Sequence, residues 1–363
     1  MVTRLLAHLS HRRRQERGQA LVLVTLLLAV IGGMTAFAID VGGYSADRRD
    51  LQNAADAIAL AASLELPNAV NAQSKANEWA VKNDIDPADM TVTVIPQNLP
   101  SEPNPKVRVR IERSHDFTFA RLIGVSSSEV QAAGTAIRTS AAGGSGAIPL
   151  SITEAALAGV TYGDEVVVKY DANNISQGNT NPIRIDGPGS GNCGSSDKYC
   201  TGVKSGSETT VCAAGADTTY CTGPSQVDTE PGNKVGATRT AINYRLGATD
   251  TQCNDFTDVF EDDPLSSDPT VYRITQACNP FLAGGYLSER VVIIPVIEQL
   301  CNGSCTVTIT GFALAFLERI GTGGCTGNDC EVVARFVRVN QNLGLLAGTF
   351  DAQATNQFVR LVN

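Results

Sequence analysis

Residues 20–39 read ALVLVTLLLAVIGGMTAFAI, a run of twenty residues without a charged side chain that ends at Asp40. At 1.5 Å per residue, a helix of this length measures about 30 Å, the thickness of the hydrocarbon core of a bilayer. Backbone groups in lipid must find their hydrogen bonds within the segment, so such a run adopts a helix. The sequence therefore predicts a transmembrane helix over residues 20–39.

Charge is distributed unequally about this run. Residues 1–19 contain five arginines and one glutamate, a net charge of +4. The formal net charge of the whole chain is −9, so residues 20–363 carry −13. Residues 41–46 include no positive charge. The positive-inside rule then places residues 1–19 in the cytoplasm and the acidic remainder outside, as in a single-pass protein of the cell (inner or plasma) membrane. The arginines favour contact with lipid headgroups, and the acidic remainder argues against a nucleic-acid partner.

A cleaved signal peptide is the alternative interpretation of the same run, with residues 36–38 (Ala-Phe-Ala) as the cleavage site. Three features favour retention of the span. The apolar run exceeds the roughly 7–15 residues of a signal peptide's apolar core. The tail before it has 19 residues, and the helical pattern continues beyond Asp40.

Small residues within the run suggest where another membrane helix would pack. Ala29 and Gly33 are four residues apart, and so are Gly32 and Ala36. Small residues at this spacing allow two helix backbones to approach closely, although they are also common in membrane helices generally. We expect Ala29, Gly32, Gly33 and Ala36 to form a helix-packing face.

The sequence after Asp40 predicts an α+β fold. Alanine-rich residues 41–66 continue as a helix that buries Leu51, Ala55, Ile58 and Ala62, and a second helix covers residues 70–83. Alternating residues predict strands at 91–95, 106–112 and 129–137, with a short helix at 117–123 between the last two. Helices on one face of a small sheet would make a domain of residues 40–140.

The second half of the chain has a different composition. The run 141–147 (AAGGSGA) is interpreted as a linker, and residues 150–285 are rich in Gly, Thr, Asn, Ser and Asp. Strands are predicted at 165–171, 289–297, 306–320, 331–339 and 358–362, and the turn residues between them favour hairpins. We expect a basic tail (1–19), a transmembrane helix (20–39), the α+β domain (40–140), the linker and a mainly antiparallel β domain (148–363).

Ten cysteines, an even number, all lie in this second half: Cys193, Cys200, Cys212, Cys221, Cys253, Cys278, Cys301, Cys305, Cys325 and Cys330. On the exported side of a membrane this pattern predicts up to five disulfides that staple the β domain. Proximity along the chain favours pairing each cysteine with its neighbour, although ten cysteines permit about 945 pairings. The close spacings at 301–305 and 325–330 leave zinc thiolates as the less favoured alternative.

Residues with catalytic potential are few. His115 is the only histidine after residue 11, and it is interpreted as a surface histidine. Neither H-E-x-x-H nor G-x-S-x-G occurs, and the glycine-rich run 187–194 lacks a P-loop lysine. Five acidic residues at 255–263 resemble a calcium ligand set, but they lack EF-hand spacing and are interpreted as a solvated loop. The sequence predicts no catalytic residue, no cofactor and no metal.

Residues 17–63 resemble the amino-terminal region of TadE/TadG-like proteins of Flp (Tad) pilus assembly. The resemblance rests on RGQA at 17–20, IDVG at 39–42 and LQNAADA at 51–57, with a further similar segment at 117–136. RVVIIPVI, TITGFALAFL and ARFV near the carboxyl terminus are similar to a long TadG-related branch. The resemblance implies a membrane-anchored, non-catalytic accessory component of pilus assembly or secretion, whose partners are other pilus-assembly membrane proteins and the lipid bilayer.

Two departures from that family limit what the resemblance implies. Prepilin-like members carry a glutamate five residues after the glycine of their cleavage region, whereas this chain has Leu23 five residues after Gly18. Gly18 remains the candidate processing position. Some TadG proteins carry a von Willebrand A-type domain with a D-x-S-x-S metal motif, which is absent here. A surface adhesin or ligand-binding module is the alternative function, and an anchored hydrolase is a third.

Overall fold

The computed structural model describes residues 2–96, 104–169, 182–190, 193–216, 221–248, 251–279, 288–300, 303–322, 324–327, 329–351 and 354–362, giving the backbone alone for residues 2–19, 248 and 251. One long helix, α1 (Val2–Ser63), contains the apolar run and the alanine-rich segment that follows it. The glycine pair at 42–43 does not interrupt it. The segment from Ala20 is long and apolar enough to cross a membrane, with a mean hydropathy of 2.5 over its most apolar window.

The chain divides into two compact units. The first comprises Met1–Ile58, Asn77–Val92 and Arg108–Gly134. It takes most of α1, the end of α2 (Ala69–Lys82), and parts of β1 (Met90–Ile95), β2 (Lys106–Asp116) and β3 (Ser127–Gly144). These three strands are neighbours in that order. The fully buried Val107, Val109 and Ile111 alternate with exposed residues along β2, as the sequence predicts.

The second unit comprises Ala59–Ala76, Thr93–Val107 and Thr135–Asn363. Its helices are α3 (Glu154–Ala158), α4 (Lys198–Ser205), α5 (Val235–Ala248) and α6 (Phe256–Val259). Its further strands are β4 (Ile152–Thr153), β5 (Glu165–Lys169), β6 (Ile183–Arg184), β7 (Val211–Cys212), β8 (Gln226–Thr229), β9 (Phe260–Asp262), β10 (Val271–Ile274), β11 (Val291–Ile297), β12 (Thr306–Ile320), β13 (Val332–Val339), β14 (Leu346–Ala347) and β15 (Gln357–Leu361).

The main sheet of the second unit is built on β11, β12 and β13, which pair antiparallel as successive hairpins. The strand order is β4-β11-β12-β13-β10-β9, with β4 and β10 parallel to their neighbours β11 and β13. The closing strand expected near the carboxyl terminus is β15, which pairs antiparallel with β3. The mixed helix-and-sheet class with an antiparallel sheet is therefore confirmed.

The core of this unit is made of side chains from both helices and strands. Tyr199 and Val203 of α4 and Ile242 of α5 are buried with Ile294 and Phe336 of the sheet. The Tyr199 hydroxyl lies 2.8 Å from the Thr238 hydroxyl, so its polar end is satisfied within the core. Burying apolar surface at about 25 cal/mol per Å² is what holds these helices in place.

The structure differs from the sequence interpretation in three places. Helices α4 and α5 lie within residues 150–285, where the weak periodicity predicts only strands and loops. Strand β3 runs through Gly144, so residues 141–144 are extended and buried although their composition is typical of a linker. The short helix expected at 117–123 is confined to a 3-10 turn at Ala120–Ile123.

Candidate membrane-exit site and helix-packing face

One stripe of α1 joins the apolar run to the folded part of the first unit. At 100° per residue, Ala29, Gly33, Ala36 and Asp40 fall within about 60° of one another on the helix. Leu51 and Ile58 continue the same stripe and are 1% and 0% exposed. The stripe is therefore covered by protein in its carboxy-terminal half.

The apolar part of the stripe is uncovered. Among residues 20–39, all described with side chains, only Ala36 is half-buried and the others are exposed. The large apolar side chains of this segment are 50–71% exposed. A Cβ atom placed on Gly32 or Gly33 would meet nothing within 4 Å, so the predicted packing face has space for the backbone of another helix.

Asp40 marks the end of the apolar run and binds a distant loop. Its Oδ1 accepts hydrogen bonds from the backbone N–H of Thr118 at 2.9 Å and Phe119 at 3.2 Å, and its Oδ2 accepts from Phe119 at 3.0 Å and Ala120 at 2.6 Å. Asp40 is only 6% exposed. A carboxylate accepting several amide donors is a strong anchor, because charge-assisted hydrogen bonds exceed neutral ones in strength. This contact fixes the loop between β2 and β3 to α1 at the edge of the apolar run.

Aromatic contacts extend the attachment along α1. The Tyr44 ring stacks on Phe117 with 6.4 Å between ring centroids, and both rings meet His115 edge to face. Nδ1 of His115 lies 2.7 Å from Oδ2 of Asp47. The His115 side chain is 13% exposed, which corrects its interpretation as a surface histidine. It serves as a structural partner of α1, and within the described residues it contacts Asp47, Tyr44 and Phe117.

Strand β3 approaches α1 so closely that only glycine fits at one point. A Cβ atom on Gly134 would lie 2.6 Å from Oδ1 of Asp56 and 2.7 Å from the carbonyl oxygen of Ala55. Nε2 of the nearby Gln52 donates to the Ala133 carbonyl oxygen at 3.0 Å and to Oδ1 of Asp56 at 3.0 Å. The LQNAADA motif is thus the part of α1 against which β3 packs.

Four cysteine pairs lie at disulfide distance in the second unit. They are Cys193–Cys200, Cys212–Cys221, Cys253–Cys278 and Cys325–Cys330, with Cα–Cα distances of 5.1, 5.9, 5.7 and 3.9 Å. Each pair joins neighbours along the chain. The fifth expected pair, Cys301–Cys305, includes Cys301, which lies outside the described residues. The Cys325–Cys330 pair occupies the connection between β12 and β13.

The acidic residues at 255–263 have structural partners. Asp255 and Asp258 form a capping box at the start of α6, and Glu261 pairs with Arg273 at 2.7 Å. Asp263 accepts a hydrogen bond from the Leu265 amide at 3.0 Å. Within the described part of the chain, no group of three or more His, Cys, Asp or Glu is arranged to hold a metal ion.

Buried charges in the second unit are also paired. The Glu230 carboxylate, 1% exposed at its side chain, lies 2.7 Å from both Arg184 Nε and Lys234 Nζ. Burial raises the pKa of Glu230, but the hydrogen bonds from Lys234, Arg184 and the Gly189 amide outweigh it, so its pKa is lowered. Burial, reinforced by Arg338, lowers the pKa of Arg138 to about 10.

A cavity of about 500 Å³ opens beside β12 in the second unit. Its wall combines apolar residues such as Leu157, Val160 and Phe312 with the polar groups of Thr310 and Arg338. Glu154 and Asp351 also line it. Small-molecule sites are likewise concave, with polar groups that orient the ligand.

Sequence analysis did not assign a role to Asp40 or to the loop it binds. The available signal was the position of Asp40, a carboxylate directly at the end of an apolar run. The candidate processing position, Gly18, lies in the part of α1 given as backbone alone.

Comparison with known proteins locates the family likeness in α1. Residues 18–74 match the Tad family model, which describes TadE/G-like Flp pilus assembly. No curated protein and no solved structure matches the chain. The matched segment includes the apolar run, Asp40, the LQNAADA motif and the start of α2. Over residues 18–74, the chain is therefore similar to TadE/G-like Flp pilus-assembly proteins.

Proposed function

We propose that the protein is a membrane-anchored, non-catalytic accessory component of Flp/Tad-type pilus assembly or secretion. Residues 20–39 hold it in the membrane, with the amino terminus in the cytoplasm and the two folded units outside. The observation that carries the proposal is the position of the family match, which covers the apolar helix and its continuation as far as residue 74. The family signature thus lies in the segment that reaches the membrane.

The apolar helix acts by lateral assembly with membrane helices of other pilus components. Support comes from the uncovered stripe at Ala29 and Gly33, which continues the stripe that β2 and β3 cover beyond Asp40. Lipid gives helices no hydrophobic drive to associate, so association depends on close backbone contact and van der Waals packing. Small side chains on the stripe provide that contact.

The test is a comparison of three single substitutions in membranes. Ala29→Leu and Gly33→Leu add bulk to the proposed face. Ala38→Leu adds the same side chain about 180° away from Ala29 on the helix, and is the matched control. All three make the run more apolar, so insertion should be unchanged.

We expect Ala29→Leu and Gly33→Leu to reduce crosslinking and co-purification with pilus components, whereas Ala38→Leu behaves as wild type. Equal recovery of partners from all three variants would contradict the proposed interface at Ala29 and Gly33. A deletion strain with normal surface filaments and normal adhesion would count against the assembly role itself.

The alternative function, a surface adhesin or ligand-binding module, is favoured by the cavity beside β12. Gly311 lines this cavity, and a Cβ atom added there has its nearest neighbour at 4.0 Å. Gly311→Leu should therefore narrow the cavity, since the position of its Cβ atom is open. Lost adhesion with normal filaments in this variant would support ligand binding, whereas unchanged adhesion would favour the assembly role.

A further inference from the structure

The β2–β3 hairpin runs along α1 towards the apolar run. At the end of β2, His115 contacts Asp47. Directly after β2, Phe117 contacts Tyr44, and the amides of residues 118–120 bind Asp40. On the returning strand, the carbonyls of Glu129 and Ala133 bind Tyr44 and Gln52. Both strands therefore approach the end of the apolar run as they approach their connecting turn. The tip of the hairpin, residues 119–125, lies at the level where α1 becomes apolar.

This tip exposes apolar side chains. Leu122 and Ile123 are 84% and 83% exposed, more than any large apolar side chain of residues 20–39. Val125 and Phe119 are 46% and 37% exposed. A contiguous apolar patch of this kind marks a contact surface, because water solvates it poorly. Arg121 is exposed among them.

We propose that residues 119–125 form a membrane anchor that inserts into the leaflet from which α1 emerges. The tip is bound to Asp40, the residue directly after the bilayer-spanning run, so it lies at the depth where that run leaves the bilayer. Leu122 and Ile123 enter the acyl region, and Arg121 pairs with lipid phosphate, as guanidinium groups do at interfaces. Asp40 holds the tip at this depth through the three backbone amides.

The anchor gives the protein a second point of contact with the bilayer besides the span. A helix held at one point is free to tilt and rotate, whereas an interfacial contact beside it restricts both. The inference goes beyond the proposed function, because it concerns lipid and requires no pilus partner. It depends on residues 20–39 crossing the bilayer.

The experiment uses the full chain reconstituted into phosphatidylcholine vesicles whose acyl chains carry bromine, a quencher of tryptophan fluorescence. Trp79 is the only tryptophan, so Trp79→Phe provides a silent background. Three single reporters are then compared: Ile123→Trp at the tip, Phe37→Trp in the span and Arg108→Trp on β2. Arg108 is exposed and lies about 30 Å along the strand from residue 117.

We expect brominated lipid to quench the reporters at residues 123 and 37 and to leave the reporter at residue 108 unchanged. Quenching at residue 37 alone would show that the span is in lipid and overturn the tip insertion, leaving a protein partner as the occupant of the patch. Quenching of neither the residue 37 nor the residue 123 reporter would contradict both the membrane span and the tip insertion. Quenching at all three would also contradict the proposal, since contact would not be confined to the tip.

Discussion

At the scale of residues, the Asp40 carboxylate binds the loop between β2 and β3 to α1 at the end of the apolar run. Because it lies at the end of the apolar run, its charge is stable only if polar partners replace water around it. The amides of residues 118–120 supply those partners. The result is a contact between positions about eighty residues apart in the sequence. Its donors are backbone N–H groups, which do not depend on the side chain and so leave no sequence motif.

Replacement of Asp40 should loosen the hairpin tip. Hydrogen bonds to charged groups contribute about 1.5–3 kcal/mol each, so Asp40→Ala should raise amide exchange at residues 118–120 by about ten- to a hundredfold. Asp40→Asn, which keeps an acceptor oxygen without the charge, should have a smaller effect. The measurement is hydrogen exchange of the full chain in lipid nanodiscs.

Asp47→Ala is the matched control for this experiment. It removes the contact with His115 at the same face of α1 but leaves the three amides bound to Asp40. Unchanged exchange at residues 118–120 in Asp40→Ala would show that the carboxylate does not hold the tip.

Protonation of Glu230 makes the stability of the second unit depend on pH. Its pKa is lowered from an ordinary value of 4.5, so its ionised form is favoured by folding. A lowered folded pKa contributes stability that is present above the unfolded pKa and is lost as pH falls through the folded pKa. Below about pH 4.5, the wild type should therefore lose stability through protonation of this group.

Glu230→Gln should be less stable than the wild type at pH 7 and should lose less stability on acidification through that window. Thermal unfolding of the second unit at a series of pH values measures both effects. Glu261→Gln, which alters the exposed pair with Arg273, is the control and should change little. Parallel acid dependence of wild type and Glu230→Gln would be inconsistent with a lowered pKa.

At the scale of elements, the disulfide pairs differ in the length of chain they close. Cys253 and Cys278 are 25 residues apart, whereas Cys325 and Cys330 are five apart. The chain-entropy model gives about 3.5 kcal/mol for the longer loop and about 2 kcal/mol for the shorter one. The shorter pair lies between β12 and β13, which are already held by their ladder.

Removal of the longer disulfide should therefore cost more. We expect the double variant C253S/C278S to lower the free energy of unfolding by more than C325S/C330S, measured by denaturant titration with the other cysteines intact. Non-reducing peptide mapping provides the companion measurement. Links between the 193–221 group and the 325–330 group would contradict local pairing, and equal losses in the two variants would contradict the loop-length argument.

For the whole molecule, the decisive property is the continuity of α1 through the edge of the apolar run. A signal peptide cleaved after Ala38 would separate the span from Asp40 and the hairpin. In the full chain, the helix passes through residues 36–43 without interruption. The family match likewise extends across this point, from residue 18 to residue 74.

We therefore predict that the mature protein keeps the span. Intact-mass analysis of the protein extracted from membranes should give the full chain. An amino terminus at Ile39 would show signal-peptide cleavage and contradict the prediction. An amino terminus at Gln19 would instead show prepilin-type processing despite Leu23, and would leave the span in place.

The sequence by itself determined the elements whose signals are local. Twenty residues without charge require a helix in lipid, and alternation in β2 and in β11–β13 predicts half-buried strands and hairpins. The small-residue spacing at Ala29–Gly33 and Gly32–Ala36 is likewise visible in one segment. These properties depend on residues within a few positions of one another, so one sequence suffices to recognise them.

Tertiary structure alone decided the properties that depend on distant partners. Helices α4 and α5 form in a segment of weak periodicity because the sheet buries Tyr199 and Ile242. The glycines at 143 and 144 belong to a strand because β3 pairs there with β7 and β14, and other segments approach them too closely for a side chain. Asp40, His115 and the exposed tip at Leu122 and Ile123 acquired their roles only when β2 and β3 packed on α1. The physical reason is that packing and long-range hydrogen bonds are set by where the folded chain brings groups together, which local composition does not encode.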